Sequence, residues 1–394
     1  MQTIQQSPTD PAFVQNPYAF YDRARALGSL VFWQDYAMPA ALSHATVNML
    51  LRDRRFGREE PAERRAPVPA ALAPFYAVEA HSMLELEPPR HTRLRSLVLR
   101  AFTSRRIAAL QPEITALAAD LAAALPRGEP FDLLTSFAQP LPVRIIARLL
   151  GVPESMAPDL LVWSNAMVKM YLAQRTPAME AAAVQATQEF VTFLRSYVEE
   201  RRARPADDLI THLIAAEEDG DKLSTDELIS TCILLLNAGH EATVHAIGNG
   251  VKAVLEHGAR PEWLALDRIA ATVEETFRWD PPLHLFTRIA YETVEVAGHT
   301  FHRGDRVALL LGAANRDPRL YDAPGRFDPS RPDKGNQSFG AGLHFCVGAP
   351  LARLELQVAL PVLFAARPDL ALVGRLRYAD TYHFRALGRL MVTA

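Results

Sequence analysis

The segment Phe339-Gly340-Ala341-Gly342-Leu343-His344-Phe345-Cys346-Val347-Gly348 sets one cysteine between glycines, directly ahead of the apolar run APLARLELQVALPVLF. That run reads as a helix. A thiolate at a helix N-terminus is favoured by the dipole and by free backbone N–H donors, so Cys346 has the chemistry of a metal ligand. Glycines at 340, 342 and 348 permit φ > 0 turns and let the backbone approach a flat cofactor. At a glycine frequency near 7%, three specified glycines match by chance about three times in ten thousand, before Phe339, His344 and Cys346 are required. The competing reading of Cys346 is a small buried thiol packed in a turn. Structural zinc is disfavoured, because no second cysteine is near and only His344 is close.

Two further groupings carry charge or open space. Glu275 and Arg278 are three apart, so on a helix they share a face. A surface pair of this kind is worth under about 1 kcal/mol. A buried set completed by Arg331 must be mutually satisfied, and loss of one partner would cost about 3–5 kcal/mol. The stretch TCILLLNAGHEATVHAIGNG reads as a long buried helix with a weak point at Ala238-Gly239, where small side chains permit an opened ladder and room for a diatomic ligand. Close helix packing at glycine is the alternative.

FGAGLHFCVG resembles the haem-binding loop of the cytochromes P-450, the cysteine-thiolate haem monooxygenases, in their soluble bacterial form. Glu275-Thr276-Phe277-Arg278 is similar to that family's E-x-x-R helix, FDPSRP places Arg331 at its companion arginine, and AGHEAT, 238–243, is similar to the oxygen-binding helix. The resemblance runs over nearly the whole chain in order. It implies haem b, with Cys346 on the iron, Phe339, Gly340 and Gly348 shaping the loop, and His91, Arg95, Arg288 and His344 on the propionates. Arg forks and His donors suit carboxylates in an apolar cavity. Taken singly, each of these four is an ordinary packing or solvated residue.

The same comparison assigns Gly239, Glu241, Ala242 and Thr243 to oxygen activation, and here the chain departs from the family. Threonine usually follows the acidic residue; this chain has Glu241, then Ala242. Thr243 is no direct substitute, since one helical residue turns a side chain by about 100°. Ordered water or a substrate hydroxyl, fed by Glu241, is expected to take the missing role. The implied reaction inserts one atom of dioxygen into a medium-sized lipophilic molecule: a terpenoid, steroid, polyketide or aromatic compound. Electrons would come from a separate ferredoxin-type or flavodoxin-type donor, because the family's haem domain fills the chain. Arg105, Arg106 and Arg353 are candidates to steer such a donor, with a solvated face as the plainer reading. A haem-thiolate enzyme of another reaction type (peroxide-driven oxidation, oxidative coupling or isomerisation) and a non-catalytic haem sensor remain as alternatives.

Holding these groups in place falls mainly to helices. His44 to Asp53 behind Ser43, Ile107 to Leu125, Pro142 to Leu150 and Met179 to Arg202 have helical apolar rhythm. Leu30 to Trp33 and Met38 to Leu42 read as a small sheet, and Val294 to Leu311 as hairpins turning at Gly298 and Gly304. Gly57 to Pro89 and Asn315 to Ser338 read as long loops. The fold class is mainly α with a minor β region (α+β), as a single domain, 1–394. Pocket-forming segments by family position are Phe75 to Leu86, Trp163 to Tyr171, Leu235 to Ala238, Leu283 to Phe286 and His383 to Phe384, with Met83, Met167 and Met170 as adaptable surface.

Composition fits this reading. The 394 residues are 49% hydrophobic and 22% charged, with a formal charge of -3, which supplies no global attraction to nucleic acid. Two cysteines, Cys232 and Cys346, make no disulfide framework, and MQTIQQSPTDPAF lacks the features of a signal peptide. The longest uninterrupted apolar run of interest, Cys232 to Leu236, stops at Asn237. A cytoplasmic monomer without a membrane anchor is expected.

Overall fold

Ser43 caps helix His44–Arg52, its hydroxyl accepting the Thr46 N–H at 3.1 Å, in the computed structural model, which describes residues 1–172, 175–218 and 221–394. The chain packs as two units. One comprises Met1–Pro61, Ile114–Ala138 and Ala242–Ala394; the other comprises Ala62–Glu113 and Gln139–Glu241.

The first unit is organised on a six-stranded mixed sheet. Its order is Thr3–Ile4, Leu30–Trp33, Met38–Ala41, Arg306–Leu310, Leu285–Ala290 and Phe56–Gly57. Leu30–Trp33 and Met38–Ala41 pair antiparallel as the expected small sheet, and Arg306–Leu310 then joins Met38–Ala41 in parallel. Successive strand residues point to opposite faces. Val307 and Leu309 therefore enter one apolar core, with Val47, Leu51, Phe301 and Ala341. Ala308 and Leu310 enter another, with Phe13, Phe20, Tyr21 and Trp33. Phe286 packs on the core that contains Ala341, so the cysteine loop meets the sheet on that face. The hairpin Val294–Val296/His299–Phe301 turns through Ala297 and Gly298, both at positive φ.

The second unit is helical. Pro177–Ala203 starts at Thr176, whose hydroxyl accepts the Met179 N–H at 3.2 Å, and packs on Ala157–Val168. Trp163 stacks on Phe190 at 5.1 Å and donates its indole N–H to Glu189 at 2.8 Å. The long helix Thr225–Glu256 contributes to both units.

Three expectations need correction. The segment Ile107 to Leu125 is two helices, Ser104–Ala109 and Gln111–Ala123, because Pro112 has no N–H to donate and is tolerated only in a first turn. Gly57 to Pro89 is not all loop: it contains helix Ala73–Glu79, with Pro74 in its first turn. Thr225–Glu256 runs unbroken through Ala238-Gly239, so the ladder does not open there. By contrast, Asn315 to Ser338 carries no helix or strand. Among the described residues one helix, Ala349–Ala366, is long and apolar enough to cross a membrane, and half of that window is buried within the protein.

Candidate functional site

The cysteine loop is built from its glycines. Gly340 and Gly342 have φ +68° and +69°, and a Cβ on Gly342 would stand 2.6 Å from the Leu51 carbonyl oxygen. Only glycine suits that position. Cys346 N–H donates to Phe339 O at 3.0 Å, and Phe345 N–H to Gly342 O at 3.1 Å, closing the turn. Phe339 and Ala341 are buried, whereas Phe345 and Cys346 are exposed. Gly348 is the N-cap residue of Ala349–Ala366, with Pro350 in the first turn, so the sulfur lies just ahead of a helix N-terminus. An exposed thiol on a buried, hydrogen-bonded turn fits a thiolate ligand and not a packing thiol. Cys232 is the contrast, fully buried with its thiol pushed up to about 12 by burial.

Behind the loop, Glu275 and Arg278 form a buried fork. Arg278 Nε and Nη2 donate to the two Glu275 carboxylate oxygens at 2.6 and 2.7 Å. The guanidinium also donates to Asn315 O and Pro324 O at 2.9 Å each and to Arg326 O at 3.1 Å. Glu275 further accepts the Asp328 N–H at 2.7 Å and has Arg331 Nε at 3.7 Å. Arg331 donates to Asp322 O, Ala323 O and Arg326 O. The network ties helix Ile269–Trp279 to the strandless segment 315–331.

Arg288 lies on strand Leu285–Ala290, is 2% exposed and donates to Thr287 O at 2.9 Å. Alternation puts it on the Phe286 face, where the ring stands 3.4 Å from the position of a Cβ on Gly340. His344 closes the short turn Gly342–His344 and is half-buried. These two and the cysteine loop share the first unit. His91 and Arg95 belong to the second, one turn apart on helix Arg90–Ala101, with His91 buried and Arg95 half-buried.

On Thr225–Glu256, Ala238 is exposed, Gly239, Glu241 and Ala242 are half-buried, and Thr243 is buried. A Cβ on Gly239 would stand 2.8 Å from Ile146 Cδ1. Close packing by Ile146 thus accounts for this glycine. Sequence reasoning missed His245, half-buried and three residues beyond Ala242, whose ring sits edge-on to Phe384 at 6.1 Å. Spacing from Ala242 was the available signal. It also missed Glu355, a fully buried carboxyl pushed up to about 8 by burial; His383, placed among the pocket segments, is pushed down to about 4 by burial.

The candidate pocket segments are mixed. Leu283 pairs with Phe384 across an isolated bridge, and Phe286 is partly buried. Met167 and Met170 are core residues at 0% and 3% exposure, not adaptable surface; Asn237 Nδ2 lies 3.8 Å from the Met167 sulfur. Arg353 is not a free steering cation, because Glu274 engages it through Nε at 2.5 Å and Nη2 at 3.1 Å. Arg106 is 3.6 Å from Asp207, while Arg105 is exposed.

Comparison with known proteins agrees with this geometry. The family model "Cytochrome P450" matches residues 250–365. The chain is 39% identical over 401 residues to the vitamin D(3) 25-hydroxylase of Pseudonocardia autotrophica, covering 97% of this chain and 94% of that protein. It is 34% identical over 403 residues to the biotin biosynthesis cytochrome P450 of Bacillus subtilis strain 168, covering 99% of each. The solved structure of P450BioI in complex with hexadec-9Z-enoic acid ligated acyl carrier protein superposes with a TM-score of 0.91 at 33% identity, covering 97% of this chain and 99% of that one.

Proposed function

The chain belongs to the cytochrome P450 family and is a monooxygenase whose cofactor is haem b, and we propose that it hydroxylates or epoxidises a medium-sized lipophilic molecule of terpenoid, steroid, polyketide or aromatic type. The exposed Cys346 thiol on its buried glycine turn carries the assignment. The name of the vitamin D(3) 25-hydroxylase supports a lipophilic substrate. Exposed Ala238 and half-buried Ala242, four residues apart, put small side chains on one face of the long helix.

Haem b, once bound through a thiolate, supplies the redox chemistry that splits dioxygen using two electrons. Cys346 would hold the iron, Phe339, Gly340 and Gly348 would keep the loop close, and His91, Arg95, Arg288 and His344 would donate to the propionates. Glu241 takes up protons from solvent and hands them to ordered water or to a substrate hydroxyl beside Ala242. Thr243, turned about 100° along the helix, faces the core. Gly239 admits the Ile146 side chain against the preceding turn. Electrons arrive from a separate ferredoxin-type or flavodoxin-type donor, and the enzyme acts as a cytoplasmic monomer built on one haem domain, 1–394.

Turnover with a reduced donor, a lipophile library and isotopically labelled dioxygen tests the reaction. Labelled product is expected; unlabelled product identifies the peroxide-driven, coupling or isomerising alternative, which the Ala242 departure keeps open, and absence of product across the library identifies a sensor. Ala242→Thr tests the relay. Electron coupling and peroxide yield should both change with the native substrate, and unchanged values refute the water or substrate-hydroxyl route.

A further inference from the structure

Arg353 Cζ lies over the Phe339 ring, 4.4 Å from its centroid, and Phe339 is the residue whose carbonyl accepts the Cys346 N–H. Glu274 holds that arginine bidentately. The same carboxylate accepts the Asn336 side-chain N–H at 3.0 Å, and Asn336 Oδ1 accepts the Ser338 N–H at 3.0 Å. Asn336 lies just before the cysteine loop and Arg353 just after it. One carboxylate on helix Ile269–Trp279 therefore ties down both ends of the segment that presents the sulfur.

We infer that Glu274 is a positioning residue for the Cys346 ligand, acting through Arg353 and Asn336 to fix the loop on Phe339. Neighbouring Glu275 serves the separate Arg278 network, so the two adjacent acids have different tasks. Clamping both ends shortens the free loop and removes conformations in which the sulfur swings off its axis. The guanidinium–ring contact and the charge-assisted fork add direction. The reading rests on haem-thiolate ligation by Cys346 and adds to it the device that holds the ligand in place.

The test uses the full-length holoenzyme and the variants Glu274→Gln, Arg353→Leu and Asn336→Ala. Three readouts are taken: the haem reduction potential, the rate at which the ferrous carbon monoxide complex loses its red-shifted thiolate band, and the thermal midpoint. Glu274→Gln is expected to speed band loss about fivefold and to shift the potential, with the midpoint nearly unchanged because Glu274 and Arg353 are both partly exposed. Arg353→Lys, which keeps charge but loses the fork, should fall between wild type and Arg353→Leu. Adding Arg353→Leu to Glu274→Gln should add little. Wild-type band stability and potential in Glu274→Gln would overturn the clamp while leaving the haem-thiolate assignment intact. A wild-type holoenzyme lacking the red-shifted band would overturn both.

Discussion

Arg278→Lys separates a buried structural network from a surface ion pair. Arg278 makes five hydrogen bonds, two to Glu275 and three to backbone carbonyls, with both side chains under 5% exposed. Lysine keeps the charge but presents three donors from one point, so at least two of the five acceptors lose their partner. Each hydrogen bond to a charged group contributes about 1.5–3 kcal/mol, and a buried acceptor left bare costs about 1–3 kcal/mol. The expected loss is about 3–5 kcal/mol, matching that of a broken buried pair. With a urea slope of about 3 kcal/mol/M, the midpoint falls by about 1–1.7 M. Parallel urea titrations by far-ultraviolet circular dichroism and by the haem band measure it. Arg331→Lys is the internal control. Arg331 contacts Glu275 at 3.7 Å and otherwise meets more exposed carbonyls, so its loss should be about 1 kcal/mol. Equal effects of the two variants, or a loss below about 1 kcal/mol for Arg278→Lys, would refute the reasoning.

Other sites give separate tests. Burial raises the Glu355 carboxyl from its ordinary 4.5 to about 8 in the folded protein, so its contribution is fully present below pH 4.5 and is lost as pH rises towards 8; Glu355→Gln should gain on wild type by up to about 1.4 kcal/mol per pH unit across that window and then level off, read from urea midpoints. His383 has the opposite sign, because its folded value is lowered from 6.5 to about 4, so stability falls as pH drops from 6.5 to 4 and His383→Gln should flatten that limb. Gly239→Ala drives a methyl against Ile146 Cδ1 and should cost about 1–3 kcal/mol, with Ile146→Val recovering part of it in a double-mutant cycle. Cys346→Ser should abolish the red-shifted carbon monoxide band, whereas Cys232→Ala should leave it in place, since that thiol is fully buried packing.

The chemistry of the site was legible because it depends on residue type at short range. A cysteine among glycines with an apolar helix following is a local pattern, and its turn closes through bonds within that pattern, from Phe345 N to Gly342 O and from Cys346 N to Phe339 O. The Ser43 cap behaved likewise, its hydroxyl accepting the Thr46 N–H three residues ahead. Reading failed where a neighbour distant in sequence decides the outcome. Ala238-Gly239 looked like a point where a helix opens, yet glycine also suits close packing, and the Ile146 side chain settles the choice. Met167 and Met170 looked like pocket lining, yet both are core.

Sequence alone determined that a cysteine stands among glycines ahead of an apolar helix and that helices dominate, because residue type, glycine torsions and apolar period are properties of adjacent residues; the haem followed from what the resemblance of that loop to the cytochromes P-450 implies. Tertiary structure alone decided which charges are spent internally. Glu275 meets Arg278 on its own helix, Arg278 donates to carbonyls 37 to 48 residues away, and Glu275 accepts the Asp328 N–H; Glu274 meets Arg353 across 79 residues. Among 42 cationic side chains, sequence cannot rank such pairs, since each is selected by burial and by the geometry of a chain that returns to the same place.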